Sequence, residues 1–136
     1  TEEFFSNYEL SMLFFGDKFR TERPDVARRF MKAFLRGTRD YNDALADGRW
    51  RKDGGADEVI RIFSQKLNTP IDLVRAITPQ ASDPDGKIFL DSVRRDLAFF
   101  QQQGEVSNKN LRVEDCIDLS FAEQAAKELG PYRRKN

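Results

Sequence analysis

The sequence predicts a mainly α-helical domain of about six helices, with one N-terminal β-strand or small hairpin. Three observations support this prediction. Apolar residues recur at three- and four-residue intervals over most of the chain, as in amphipathic helices. Pro and Gly stand at the edges of these segments, where they start and end helices. Residues 8–15 (YELSMLFF), by contrast, form a short apolar and aromatic run that is typical of a strand.

The predicted strand at residues 8–15 needs a neighbour, because one strand alone cannot form a sheet. We expect it to pair either with residues 1–7 or with chain that is absent from this sequence. An unpaired strand edge can also bind the same edge of a second copy. A homodimer through residues 8–15 is therefore a further expectation.

The longest helix is predicted to run from Pro24 to about Gly48. Gly37 lies inside its apolar stripe, where Gly costs about 1 kcal/mol relative to Ala. A close crossing by another helix would explain this glycine. The whole stripe follows helical spacing and consists of Val26, Phe30, Phe34, Gly37, Tyr41 and Leu45.

Shorter helices follow a polar turn at residues 48–56. Residues 78–87 are dense in Pro, Asp and Gly and are predicted to be a loop. One helix is predicted from Asp57 to Leu67, and a second begins with Thr69-Pro70 and runs through Ile77. A third begins at about Leu90 and ends at Gly104, and a single helical turn is predicted within residues 113–119. The last helix is predicted from Phe121 to Leu129, after the capping-box pattern Ser120–Glu123.

The composition argues against several functions. Lys+Arg and Asp+Glu each total 23, so the net charge is +0 and no basic field would attract nucleic acid. The absence of His removes the commonest general base and transition-metal ligand. Cys116 is the only cysteine, which excludes an internal disulfide, and we expect it to be a small buried residue. We expect no enzyme activity, no catalytic residue, no metal, no cofactor and no nucleic-acid partner.

Several charged clusters remain open to two interpretations. Asp83–Gly86 faintly resembles a calcium loop, but Pro84 and the missing closing Glu favour a turn. Glu114, Asp115 and Asp118 could serve acid–base chemistry or bind a cation, although an acidic start to the last helix is the favoured interpretation.

Two arginine pairs could hold a phosphate, sulfonate or carboxylate. Arg28-Arg29 and Arg94-Arg95 each lie in an amphipathic helix, so a solvated helix face is the favoured interpretation. No apolar run approaches the length of about 18 residues that a membrane helix requires. The first residues, Thr-Glu-Glu, have neither Met nor a signal-like segment, so we expect a processed product or a piece of a longer chain.

An ordered series of short segments covers nearly the whole chain. It starts with the apolar run Leu10–Phe15, then Asp17-Lys18-Phe19, Glu22-Arg23-Pro24-Asp25, Phe30, Ala33-Phe34-Leu35-Arg36-Gly37 and Tyr41. It continues with Pro70-Ile71-Asp72-Leu73-Val74, Asp83-Pro84-Asp85-Gly86, Cys116-Ile117-Asp118-Leu119-Ser120-Phe121, Ala125, Leu129-Gly130 and Tyr132. This series resembles the C-terminal part of ABC-importer solute-binding proteins of the nitrate/sulfonate/taurine and thiamine-pyrimidine group.

The resemblance implies a fragment of a type II periplasmic-binding-protein fold, in which two α/β lobes close on a small ligand. Residues 1–136 would form a single domain, with residues 1–17 as a hinge-side strand and residues 18–136 as the helical part. Upstream lobes would supply most ligand contacts, so the small-molecule ligand would bind only in their presence. An ABC permease would be the partner, and the location would be periplasmic or extracellular and membrane-tethered. Within this chain, the ligand-facing candidates are Ser6, Asn7, Tyr8 and Glu9.

The alternative hypothesis is a self-contained helical protein–protein interaction module. It rests on the amphipathic helices and on three aromatic pairs, Phe4-Phe5, Phe14-Phe15 and Phe99-Phe100. Adjacent residues of a strand or helix point in different directions, so some of these rings should lie on the surface and offer a docking face.

Overall fold

The computed structural model describes residues 8–135, and within them the chain is mainly helical, as predicted. The sheet is a single antiparallel hairpin in this part of the chain. The elements are α1 (Asp17–Glu22), α2 (Pro24–Asp43), β1 (Leu45–Ala46), β2 (Arg49–Trp50), α3 (Asp57–Leu67), α4 (Ile71–Ala76), α5 (Leu90–Gln103), a 3-10 helix (Val113–Asp115) and α6 (Ser120–Leu129).

Helix α2 begins at Pro24, as predicted, but ends at Asp43 rather than near Gly48. The reason is the hairpin that follows, in which Leu45 pairs with Trp50 and Ala46 pairs with Arg49. Asp47 and Gly48 form its two-residue turn, and both have positive φ, at 50° and 70°. A type I′ turn needs this backbone geometry, and Asp-Gly is among the pairs that adopt it most readily.

A small core forms where α3 and α4 meet the C-terminal end of α2. Ile60 and Val74 are fully buried there, together with Ala44 and Ala56. The Trp50 indole N–H donates to the Val74 carbonyl at 3.0 Å and thereby ties the hairpin to α4. The rings of Tyr41, Trp50 and Phe63 lie 5.7–6.0 Å apart, and the three rings close this core.

A second core lies between α2 and α6, which make the most extensive helix–helix contact among the described elements. Its buried residues on α2 are Ala27, Leu35 and Thr38, and those on α6 are Ala122 and Ala125. The small alanines let the two helices approach closely. Gly86 also packs here, with φ of +73°, and a Cβ at this position would lie 2.9 Å from Leu35 Cδ2.

Arg39 connects these parts through a side chain that is only 13% exposed. Its guanidinium donates to Asp85 Oδ1 at 2.7 Å and to the Pro84 carbonyl at 3.3 Å. It also donates to the carbonyls of Gly130 at 2.7 Å and of Leu129 at 3.5 Å. One cation therefore holds the loop before α5 and the end of α6 against α2.

The prediction of a strand at residues 8–15 is wrong for this structure. These residues adopt neither helix nor strand, and within residues 8–135 the backbone of Leu10–Phe15 pairs with no other strand. Phe15 instead packs edge-on against Phe19, Phe30 and Phe121, at 5.4–5.8 Å between ring centres. A strand requires an adjacent strand, and the described chain offers none beside this segment. An edge-paired homodimer through residues 8–15 thus lacks the strand on which it was based.

Smaller differences have local causes. Helix α1 was not predicted, and α4 begins after Pro70, so Thr69 is not its N-cap. Helix α6 begins at Ser120, so Ser120 is its first residue and not its N-cap, and the predicted capping box does not form. The Ser120 backbone N–H donates to Asp118 Oδ1 at 2.9 Å instead. Cys116 is exposed rather than buried. Gly104 ends α5 with φ of +80°, as predicted.

No helix of the described residues is long and apolar enough to cross a bilayer.

Candidate interaction face

Two of the four predicted ligand-facing residues, Tyr8 and Glu9, lie in the part of the chain that the structure describes. Ser6 and Asn7 lie outside the described residues. The Tyr8 hydroxyl donates to Asp96 Oδ1 at 3.1 Å, and this hydrogen bond raises the pKa of Tyr8. The Glu9 N–H donates to Ser92 Oγ at 3.0 Å, while the Glu9 carboxylate accepts the Phe89 N–H at 2.9 Å. Glu9 therefore attaches this segment to the start of α5, and Tyr8 attaches it to the middle of the same helix.

The carboxylates with open interpretations are all engaged by nearby donors. Glu114 accepts from Arg94 at 2.6 Å, and this bond lowers the pKa of Glu114. Asp115 pairs with Arg112 at 2.8 Å, which lowers its pKa as well, and Asp118 binds the start of α6. These contacts connect neighbouring segments of the fold. Among residues 8–135, no three acidic or cysteine side chains form a group that could hold a metal ion.

The loop at Asp83–Gly86 is a turn. Asp83 Oδ1 accepts the backbone N–H groups of Asp85 at 2.9 Å and Lys87 at 3.1 Å, which closes the turn on itself. Asp85 pairs with Arg39 at 2.7 Å. Asp83 thus stabilises the turn itself, and Asp85 attaches the turn to α2.

The two arginine pairs differ in role. Arg28 and Arg29 are exposed, and Arg29 pairs with Asp25 of the same helix at 3.6 Å. They line a shallow depression of about 440 Å³ together with Lys32 and Glu128, which form a 2.7 Å ion pair. Both signs of charge are present in this depression. Arg94, in contrast, links Asp91 and Glu114, at 2.6 Å each, and so joins α5 to the 3-10 helix.

One face of α2 is apolar and uncovered. We call Phe30, Ala33, Phe34 and Gly37 the outer face, since all four are exposed. Phe30 is 48% exposed and Phe34 is 43% exposed. A Cβ built at Gly37 would meet nothing within 4 Å, so the helix crossing expected there is absent from the described chain. The outer face lies in the stripe that the sequence singled out, yet α2 packs on α6 through a different stripe.

Exposed apolar side chains also occur in the N-terminal segment. Phe15 bridges to the outer face, because its ring lies 5.8 Å from that of Phe30. Beside it, Phe14 is 80% exposed, and Leu10 and Leu13 are also exposed. Scattered exposed apolar residues are normal on a protein surface, whereas a connected patch indicates an interaction site. We call Leu10, Leu13, Phe14 and the outer face together the apolar strip.

The exposed stripe of α2 had a signal in the sequence, namely the presence of two apolar stripes on one helix. Helix α2 carries two apolar stripes, of which the buried one passes through Ala27, Leu35 and Thr38. The other stripe contains Phe30 and Phe34, whose large apolar side chains led us to expect that this stripe is buried. Because only one of the two can face α6, two stripes on one helix already indicate two packing partners.

Scans against family models, curated proteins and solved structures found no match to this chain. The resemblance to solute-binding proteins therefore rests on the ordered residues of this sequence alone.

Proposed function

We propose that this chain is the C-terminal, helical portion of the substrate-binding component of an ABC importer for a small organic or anionic solute. The observation that carries the proposal is the uncovered apolar strip on the longest helix and the segment before it. In a two-lobe binding protein of type II, upstream chain would cover such a strip. The contribution of this portion is then to support the lobes and not to bind the solute by itself.

Burial of the outer face would contribute substantial free energy. A fully covered Phe side chain buries about 150–250 Å², and Phe30 and Phe34 still expose 48% and 43% of their surface. Burial of that remaining apolar surface is worth about 25 cal/mol per Å². Gly37 adds a steric argument, since the open space above it admits a close backbone approach from a crossing element. Two large rings beside a glycine suit a helix packed at the usual distance of about 8–10 Å.

The proposal also gives residues 10–15 a partner. Within the described chain, this segment pairs with no strand, although its sequence is strand-like. In the full binding protein it would join the edge of a sheet that upstream residues build. Strand formation would then depend on chain beyond the described residues.

The remaining parts of the proposal follow from the resemblance. The protein would be a binding component without enzyme activity or cofactor, and its partner would be an ABC permease. It would work in the periplasm or tethered outside the cell membrane. Of the residues of this chain, Ser6, Asn7, Tyr8 and Glu9 are the ones that the resemblance places nearest the solute cleft.

The test compares two proteins: the 136-residue chain, and the product of the full reading frame that contains it. Both are screened by thermal shift and calorimetry against nitrate, alkyl sulfonates, taurine and thiamine-type pyrimidines. We expect at least one solute to stabilise the longer protein and none to stabilise the chain alone. Stoichiometric solute binding or turnover by the 136-residue chain would refute the proposal, as would a start codon directly before the codon for Thr1.

A second candidate is the self-contained interaction module. The observation in its favour is that Arg39, Tyr41 and the two small cores hold the described helices together without further chain. In that case the apolar strip would bind a separate protein. The chain alone would be a stable monomer, and its reading frame would contain no upstream α/β region. Aggregation or instability of the chain by itself would count against this candidate.

A further inference from the structure

The last described residues, 131–135, lie against the C-terminal end of helix α2, and we call them the tail. The Tyr132 hydroxyl donates to Asp43 Oδ1 at 2.8 Å. The Lys135 backbone N–H donates to the same oxygen at 3.0 Å. The Lys135 ammonium group pairs with Asp40 at 3.0 Å and with Asp43 at 3.4 Å. The tail thus meets two carboxylates of α2 through a tyrosine and, three residues later, a lysine.

The backbone of the tail is held as well as its side chains. Arg51, the residue after strand β2, donates from Nη1 to the Lys135 carbonyl at 3.2 Å. Asp43 accepts the N–H of the same lysine, so both of its backbone hydrogen-bonding groups are engaged. Asp53 fixes the Arg51 guanidinium, because its Oδ2 accepts from Nη2 at 2.6 Å. A donor and an acceptor from two different parts of the fold therefore clamp one residue of the tail.

Two further features give the place where the tail binds a defined chemistry. The Arg39 guanidinium lies 5.9 Å from the centre of the Tyr132 ring, within the range of a cation–π contact. The Asp43 side chain is 12% exposed and that of Asp40 is 64% exposed, so one carboxylate is enclosed and the other lies at the rim. We call Arg39, Asp40, Asp43 and Arg51 the tail site.

The tail can leave this site without opening a hydrophobic core. None of residues 131–135 is buried, and hydrogen bonds and ion pairs attach them. Exposed ion pairs contribute little stability, because water and salt compete for both partners. Gly130, just before the tail, is bound to Arg39 through its own carbonyl at 2.7 Å. The attachment of α6 to α2 therefore does not require the tail.

We propose that the tail site recognises a Tyr-x-x-Lys segment, and that the tail of a second copy binds there once the resident tail is released. A second copy fits because it carries the same residues at the same spacing, so each contact within one chain can also form between two. The resident tail competes with the incoming one, since a short tether gives it an effective concentration of roughly millimolar. This inference goes beyond the proposed function and does not depend on it.

An emptied site tests the recognition. Tyr132→Ala with Lys135→Ala, in the 136-residue chain, removes the resident side chains, and the probe is an acetylated peptide of residues 130–136 (GPYRRKN). NMR titration follows the signals of Arg51 and its neighbour Trp50. A tail that stays bound on a short tether needs a Kd at or below roughly 1 mM, so we expect saturable binding in that range. No saturation up to about 10 mM would overturn the proposal.

Three controls separate recognition from general attraction between charges. The reversed peptide (NKRRYPG) has the same composition and charge, and it should not saturate the site. In the emptied chain, Asp43→Asn should weaken peptide binding at least roughly tenfold, because it removes the charged acceptor of two tail donors. Asp25→Asn, an exposed acid at the other end of α2, should leave binding unchanged. Equal binding of the two peptides, or equal effects of the two substitutions, would overturn the proposal.

The unmodified chain gives a readout that requires no variant. The peptide should bind it severalfold more weakly than the emptied chain, because the resident tail competes. At saturation, the Tyr132 and Lys135 signals of the chain should move towards those of the free peptide. Unmoved signals at saturation would contradict displacement of the tail.

Two complementary full chains test the exchange between copies. One is the emptied chain, isotope-labelled for NMR. The other is unlabelled and carries Asp40→Asn with Asp43→Asn, so its tail has lost its own site. We expect the mixture to shift the same Arg51 and Trp50 signals as the peptide does, and an unlabelled unmodified chain to shift them severalfold less. An unchanged spectrum in the mixture would contradict binding of the tail by a second copy.

Discussion

The two ends of helix α2 carry apolar residues of the same stripe, yet they differ in what covers them. At the C-terminal end, Tyr41 packs against Trp50 and Phe63, and the Arg39 side chain, 13% exposed, binds the loop before α5 and the end of α6. Toward the N-terminal end, Phe30 and Phe34 face outward. We call the first region the closed end, in contrast to the outer face.

Helical periodicity and the identity of the packing partner are separate properties of the sequence, as the two ends of α2 show. Helical periodicity shows which residues prefer to be buried, but the partner that buries them is set by other parts of the chain. The closed end finds its partners among residues 44–135. On the outer face, Phe30 contacts Phe15 edge-on, but Phe30 and Phe34 remain 48% and 43% exposed. This is why we propose that further chain covers the outer face.

The largest expected effect is at the closed end, where Ile60→Ala empties a fully buried site between α3 and α4. We expect a loss of about 2–5 kcal/mol in the free energy of unfolding, measured with urea. Ile62→Ala is the matched control, because Ile62 is an exposed residue of the same type on the same helix. Equal losses at the two positions would contradict the core described for this end.

Arg39→Met should produce the next largest effect. The substitution keeps much of the side-chain volume, but it leaves the Asp85 carboxylate and the carbonyls of Pro84 and Gly130 without their donor. Because the site is partly open to solvent, we expect a loss of about 2–3 kcal/mol. Hydrogen exchange should quicken in the loop at residues 83–86. Arg36→Met, at an exposed position of α2, should change stability by less than about 0.5 kcal/mol.

The tail that closes this end should make stability depend on acid pH. Burial by itself would raise the pKa of Asp43, but hydrogen bonds from the Lys135 N–H and ammonium and from the Tyr132 hydroxyl outweigh it and lower the pKa. A lowered pKa in the folded state gives stability that is present above the unfolded value, about 3.9. That stability is lost as the pH falls below it.

The measurement is urea unfolding between neutral pH and about pH 2.5, across the ordinary Asp range. Asp43→Asn should flatten the acid loss of stability relative to the unmodified chain, and Tyr132→Phe should flatten it partly, because it removes one of the donors. An unchanged acid dependence in Asp43→Asn would show that this carboxylate does not hold the tail.

Gly37→Ala is expected to have the smallest effect, with the opposite sign. Ala favours a helix interior over Gly by about 1 kcal/mol, and nothing stands near the new methyl group. The 136-residue chain should therefore gain stability by up to this amount. In the longer protein the gain should vanish or reverse, because a crossing element would meet the methyl group. The same gain in both proteins would argue that nothing packs at Gly37.

Local signals in the sequence predicted much of the helical framework. Asp57 and Leu67 bound α3 as expected, Pro24 begins α2, and Gly104 follows α5. Each of these depends on side-chain periodicity or on the backbone preferences of Pro and Gly, which act within a few residues. The two-residue turn at Asp47-Gly48 also had a local signal, which the predicted extension of α2 overrode.

The remaining features depend on contacts between distant residues. Whether residues 8–15 form a strand depends on a neighbouring strand, which no property of the segment itself supplies. The choice of buried stripe on α2 depends on Ala122 and Ala125 of α6, whose small size suits Ala27 and Leu35. Tyr8 and Glu9 were chosen by resemblance, and their contacts with α5 span more than eighty residues of sequence.

The assignment of the outer face to further chain can be tested directly by the reactivity of a thiol placed on it. Phe34→Cys, in a Cys116→Ser background, is prepared both in the 136-residue chain and in the product of the full reading frame. The account predicts that the thiol reacts with a soluble disulfide reagent nearly as fast in the folded short chain as in urea, and that it is strongly protected in the longer protein. Equal, rapid reaction in both folded proteins would contradict the account, because the outer face would then remain uncovered in the complete molecule.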